Sequence, residues 1–277
     1  MFNALLSSFS NATEVILDKT IMSREKVKFI SFMSLCMFFV FLLTSSLFPV
    51  FGKVDIKAFE APYLLAFGAV IVVASLYNYL YYYSLSHENV TEVEPLAMVH
   101  GLIAVILATI IYPNERNTFV FVLALIASSA LIFSRIEKRH IKFDKHALAM
   151  LGFAALFAVE SLFLKELLLV YSPVALYSFR TGVLALLFFV FLKPKIKGLE
   201  IKKVGSILLD AFSVSAQYVT LYFAYSKIGL VRTSLIVMLG PVLIFIFSFI
   251  FLKEKMAPKK LVADAIILAC VAASVLA

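Results

Sequence analysis

Two short stretches, NATEVILDK (11–19) and AVESLFLK (158–165), each place an acid among apolar residues and follow it with a lysine five positions later. The acids are Glu14 and Glu160, the lysines Lys19 and Lys165. A carboxyl in such surroundings has two uses. It can pair permanently with a buried cation, or it can bind and release protons in competition with a ligand. Ser7, Asn11, Glu14 and Asp18 recur at the spacing of one helical stripe, which is therefore expected to face inward. Glu160 has less polar company on its face. Arg180, in YSFRTGVLALLFFVF, lies about two helical turns into another apolar stretch and keeps its charge at any working pH, so an anion must meet it. That anion is Glu14, Glu160 or another acid held permanently, or a substrate carboxylate or phosphate held in passing.

Hydrogen-bonding candidates come next. SLYNYLYYYSL surrounds Asn78 with tyrosines 77, 79, 81, 82 and 83, and Gln217, Tyr218, Tyr222 and Tyr225 answer it further on. Tyr81 to Tyr83 fit an interfacial aromatic belt. Asn78 and Gln217, with Tyr79 and Tyr218 beside them, are the candidates for holding a substrate, against the alternative that they only bond helix to helix. His100 is of the residue type that can titrate near neutral pH, but it has no second ligand at metal spacing, and packing explains it more simply. Gly240-Pro241, and Gly101 in a corresponding place, are candidate bends for gating or for packing alone.

The elements that must position these residues follow from composition. Of 277 residues, 63% are hydrophobic and 15% charged, with a mean hydropathy of +1.02, which excludes an ordinary soluble domain. Ten apolar runs of membrane-crossing length predict helices at about 4–22, 29–51, 63–85, 93–113, 118–135, 146–170, 173–193, 205–226, 233–252 and 260–277. Intervening segments are too short for a second core, and continuous runs favour a helical bundle over a barrel. The first run has no basic flank before it and is expected to stay as a helix rather than be cleaved. Cys36 and Cys270 lie within apolar runs and are read as small hydrophobes, with no disulfide, metal or cofactor expected. The formal charge of +8 sits in loops, where headgroups and topology account for it without nucleic acid.

The chain repeats itself. Glu160 and Lys165 follow Glu14 and Lys19 at an offset of 146; Gln217, Tyr218, Gly240 and Glu254 follow Asn78, Tyr79, Gly101 and Glu115 at 139. A duplication of five helices explains both, with one shorter loop in the second copy. Five is odd, so the copies enter the membrane from opposite faces. The expected fold is all-α, ten transmembrane helices as two inverted five-helix repeats, residues 1–140 and 141–277, an arrangement that suits alternating access to a midplane site.

Ten spans in two fives, the polar first helix NATEVILDK, and the segments YFAYSKIGLVRTSLIVMLGPVLIFIFSFIFLKEK and LYYYSLSHENVTEVEPLAMVHGLIAVILATIIYPNE resemble the drug/metabolite transporter superfamily. The second repeat matches better. The first departs from the pattern, with His100-Gly101 where Gly-Pro would stand and Glu92 and Glu94 where small residues are usual. The resemblance implies a carrier for a small metabolite, amino acid or drug-like molecule. In four-helix multidrug relatives a membrane-embedded glutamate of the first helix is used, and Glu14 stands in a similar place. The expected assignments are substrate binding by Asn78, Tyr79, Gln217, Tyr218 and Arg180, proton coupling by Glu14 and Glu160, and gating by Gly101, Gly240 and Pro241.

The competing classes are an intramembrane enzyme and a passive channel. No His-Glu-x-x-His, Gly-x-Ser-x-Gly or phosphate-loop motif stands in the sequence. Partners expected are a small molecule, lipid and protons as the coupling ion, with the chain a monomer or homodimer in the cell membrane. Lys and Arg concentrate in the loops after the first, fifth, seventh and ninth runs, which by the positive-inside rule puts both termini outside, whereas the family resemblance implies both inside.

Overall fold

The computed structural model describes residues 1–134, 144–253 and 258–276. Every described apolar run is helical. The helices are α1 (Phe2–Lys19), α2 (Phe29–Phe51), α3 (Ala61–His87), α4 (Val90–Ala97), α5 (Val99–Ile111), α6 (Thr118–Ser134), α7 (Lys145–Leu167), α8 (Pro173–Leu187), α9 (Ile201–Ile228), α10 (Leu230–Val237), α11 (Gly240–Phe247) and α12 (Pro258–Leu276). Two of the expected runs are broken helices. α4 and α5 meet at Met98, α10 and α11 at Met238 and Leu239. Pro95 inside α4 and Pro241 in the first turn of α11 each lack the N–H that a continuous helix needs.

Among the described residues, seven stretches are long and apolar enough to cross a membrane: α2, α3, Glu92–Ile111, α7, Pro173–Leu192, α9 and Leu230–Leu252. Of the other three expected spans, α1 carries Glu14, Asp18 and Lys19, and α6 and α12 are described as apolar helices over Thr118–Ala130 and Leu261–Ser274. Charges in a spanning helix cost ~2.5 to 3.5 kcal/mol each at mid-membrane, so α1 depends on the bundle around it.

Local chemistry sets the ends. The Asp144 carboxylate accepts from the backbone N–H groups of His146 and Ala147 at 2.9 and 2.7 Å, starting α7. Ser172 caps α8 ahead of Pro173. Gly229, with φ +81°, makes the turn from α9 into α10, a conformation that side chains rarely adopt. The Glu115 carboxylate then accepts from the N–H groups of Leu230 and Val231 at 3.1 and 2.9 Å, an anion at a helix N-terminus. Lys165 pairs with Glu115 and lies 3.6 Å over the Tyr112 ring. Lys19 instead donates to the carbonyls of Leu85 and Glu88 where α3 ends. Glu254, the sequence counterpart of Glu115, lies outside the described residues, as does the basic segment 135–143.

Packing pairs the two halves crosswise. α3 lies on α7 and α1 on α9; α2 lies on α8 and α6 on α12; α5 contacts α7 and α11 contacts α1. Exchanging α1–α6 for α7–α12 carries each of these pairs onto another of them or onto itself. The direction of α2 relative to α8 is fixed at both ends. Beyond the end of α2, Lys53 and Asp55 bond to the backbone of Ser172 and Val170, just ahead of α8; at its start, the Ser31 hydroxyl donates to the Lys195 carbonyl beyond α8, at 3.1 Å. α2 and α8 therefore run antiparallel.

Candidate functional site

A narrow cavity of about 40 Å³ lies between the halves, room for a few water molecules and no more. α1 supplies Asn11 and Glu14, α3 supplies Tyr77, Asn78, Tyr81 and Tyr82, and α9 supplies Gln217, Tyr218 and Leu221. Glu94 and His100 enter from the broken helix α4–α5, and Phe153 and Phe157 from α7. The stripe Ser7, Asn11, Glu14 and Asp18 is buried along its whole length. Asn78 and Gln217 reach the cavity from opposite halves. The Gln217 amide donates to Asn11 Oδ1 at 3.1 Å, while the Asn78 amide donates to the Ala74 carbonyl of its own helix at 2.8 Å.

Two neighbouring tyrosines part company. Tyr218 lines the cavity and stacks on Tyr177, centroids 5.2 Å apart. Tyr79 does not reach it. It is 40% exposed on the outer side of α3, stacked on Tyr83 and edge-on to Phe29. The expected substrate contact of Tyr79 is therefore corrected: 77, 78, 81 and 82 form one face of the helix, and 79 and 83 the next one round.

The two repeated acids sit in opposite electrical surroundings. Glu160 Oε1 accepts from Arg180 Nε at 2.8 Å, and Glu160 Oε2 accepts from the Tyr77 hydroxyl at 2.8 Å. Arg180 also bonds to that hydroxyl, and its guanidinium lies 5.6 to 5.7 Å from the rings of Tyr77, Tyr177 and Tyr218. Both charges are fully buried. Arg180 is thus matched by Glu160 and not by Glu14, and neither Arg180 nor Glu160 lines the cavity. In this arrangement Arg180, expected as a substrate contact, and Glu160, expected as a proton carrier, are each occupied by the other and stand apart from the cavity.

Glu14 has no such partner. Among the described residues no lysine or arginine pairs with it, and its Oε2 is buried without a hydrogen bond. Its charged neighbours are acids: Asp18 one turn on, Glu94 from α4, and Asp210 from α9. Cys36 is more than a small hydrophobe, since its thiol donates to Asp210 Oδ2 at 3.3 Å, and the Tyr81 hydroxyl donates to Glu94 Oε1 at 3.4 Å. Sequence reasoning passed over Asp210 and took Glu94 only as a departure from pattern. The signal for Asp210 was its place two turns before Gln217 on the same face of an otherwise apolar helix.

His100 packs edge-on to Phe157, with centroids 4.7 Å apart, and its Nδ1 is 2.9 Å from the Ala97 carbonyl. Because a carbonyl only accepts, Nδ1 carries the hydrogen. The glycines mark close approaches between the broken helices. A Cβ on Gly101 would stand 2.7 Å from Met238 Cε, and one on Gly240 would stand 3.0 Å from Asn11 Nδ2 and 3.4 Å from Met98 Cε.

No curated protein matches this chain. A solved crystal structure, described only as that of a protein, superposes with a TM-score of 0.69 at 17% sequence identity, over 99% of this chain and 96% of the other, and shows the shared fold alone. The model of the EamA-like transporter family matches twice, over residues 1–135 and 145–276. A match over nearly the whole chain, on a bundle of apolar helices around a polar cavity, places the protein in the EamA-like transporter family of the drug/metabolite transporter superfamily.

Proposed function

We propose that the chain is a secondary active transporter of a small molecule in the cell membrane, built as two inverted repeats, 1–140 and 141–277, each crossing five times. The crosswise pairing of the halves and the antiparallel course of α2 and α8 support the inversion. Rocking of one half against the other opens the cavity to either face in turn. In the conformation described here the cavity is too small for a substrate, so one half must move for it to bind.

Asn78, Gln217 and Tyr218 hold the substrate. The tight contacts of Gly101 and Gly240, with Pro241 at the break, let the broken helices slide during opening. The observation that carries the reading is Glu14, a buried carboxyl on the cavity wall with no lysine or arginine pairing with it among the described residues. Such a group binds a proton when the cavity is empty and gives it up when substrate arrives, which couples the two fluxes. Arg180, already matched by Glu160, has no part in that exchange.

The test is reconstitution in liposomes with Glu14→Gln, which keeps shape and hydrogen bonding but removes the titration. The expected outcome is loss of uphill accumulation driven by a proton gradient with exchange of substrate across the membrane retained. Wild-type pH dependence in this variant would refute the coupling, and flux that never saturates would replace the carrier with a channel.

A further inference from the structure

The cavity wall has a chemical bias that names a class of substrate. Its two ionisable carboxyls are Glu14 and Glu94, and no lysine or arginine lines it. The guanidinium closest behind the wall, Arg180, is consumed by Glu160. The amides of Gln217 and Asn78 each already donate once within the protein, to Asn11 and to Ala74. What remains unmatched is acceptors. The buried lining atoms without a hydrogen bond are Glu14 Oε2 and Gln217 Oε1, and Gln217 is only 7% exposed. A buried acceptor with no donor carries a desolvation cost that a ligand donor relieves. Around these atoms stand ring systems, Tyr77, Tyr81, Phe153, Phe157 and Tyr218, whose faces attract a cation. Behind Glu14, Asp18 Oδ1 and Oδ2 and Asp210 Oδ1 are further buried acceptors without a hydrogen bond, and among the described residues no lysine or arginine pairs with them.

We propose that the cavity, once widened by movement of the halves, binds an organic ammonium ion with an apolar body, its N–H groups bonding to the Glu14 carboxylate and Gln217 Oε1 and its apolar part lying between Phe153, Phe157 and Tyr218. This rests on the reading of the cavity as the transport site. A free carboxylate or phosphate would meet two acids and, among the described lining residues, no lysine or arginine, so an anion is disfavoured, and a zwitterion is disfavoured at its acidic end.

Three probes share one phenylethyl body and differ in charge: 2-phenylethylammonium, 3-phenylpropionate and phenylalanine. Radiolabelled binding is measured on the purified full-length protein in detergent, and exchange in proteoliposomes, corrected with protein-free vesicles. The expected result is saturable binding and exchange of 2-phenylethylammonium alone, with binding weakened roughly tenfold or more in Glu14→Gln, whose exchange persists at saturating amine, and binding also weakened in Gln217→Leu. Two variants on separate helices, each checked by thermal melting, guard against a folding defect in either. Binding of 3-phenylpropionate or phenylalanine in preference to the amine overturns the ammonium assignment and leaves the transport reading standing. Amine binding without exchange does the reverse. Amine binding undiminished in both variants overturns the site assigned here.

Discussion

Glu14 and Glu160 stand one in each of the two stretches that match the family model, 146 residues apart, and the bundle treats them in opposite ways. Glu160 is locked between Arg180 and the Tyr77 hydroxyl, out of reach of the cavity. Glu14 stands on the cavity wall among other acids, with one oxygen unbonded. The residue thus recurs in both stretches without keeping one task. A compensated charge stabilises the scaffold. An uncompensated one is costly to keep, and the use proposed for it is exchange of proton for substrate.

The comparison breaks most visibly at the locked acid. Glu160→Gln leaves the Arg180 guanidinium buried without its counter-charge, with an expected loss of ~3 to 5 kcal/mol and a clear fall in melting temperature. Replacing both, with Glu160→Gln and Arg180→Met together, should recover much of that loss, because no lone charge remains. If the double variant melts no higher than the single one, the pair is not the source of the effect. A smaller effect is expected at the shared hydroxyl. Tyr77→Phe removes a donor to Glu160 and a contact to Arg180 while keeping the ring that faces Phe153 and Phe157. It should cost ~1 to 3 kcal/mol by thermal or denaturant melting. A null result would mean that the charges alone hold the triad.

The sequence made the helices legible because run length and apolarity decide them locally; the run read as 29–51 is α2 to the residue. It also disclosed that Asn78 and Gln217 belong together and that the face of α1 bearing Glu14 turns inward. The partner of Arg180 was not legible. Two acids at equivalent positions compete for it, and the outcome depends on which helices pack across the halves, a non-local matter. Tyr79 was misassigned for a rotational reason. One residue is ~100° around a helix, so adjacency to Asn78 says little about a shared face. Asp210 was missed because a single acid in a long helix draws no notice until Asp18 and Cys36 stand opposite it.

Glu14→Gln sharpens the comparison from its other side. No cation is stranded by the change, and repulsion from Asp18 and Glu94 is reduced, so the expected stability change is within ~1 kcal/mol and its sign is favourable or neutral. The same substitution in the two repeats should therefore separate cleanly: a destabilised protein at 160, and a stable one with altered transport at 14. Equal losses of melting temperature at both positions would show that Glu14 too is structural.

The smallest effect is expected where α3 turns outward. Tyr79 and Tyr77 are two residues apart, yet one hydroxyl holds a buried ion pair and the other lies on the exposed side against Phe29 and Tyr83. Tyr79→Phe preserves the stacked ring and removes only an oxygen that has no part in the cavity. The expected change is within ~0.5 kcal/mol in stability, with unaltered substrate affinity in the same binding assay. Because Tyr77→Phe deletes the same atom from the same residue type on the same helix, the difference between the two variants isolates burial beside Glu160 as the cause. A Tyr79→Phe variant that lost affinity would return that face of α3 to the transport path and require the bundle to turn it inward in another conformation.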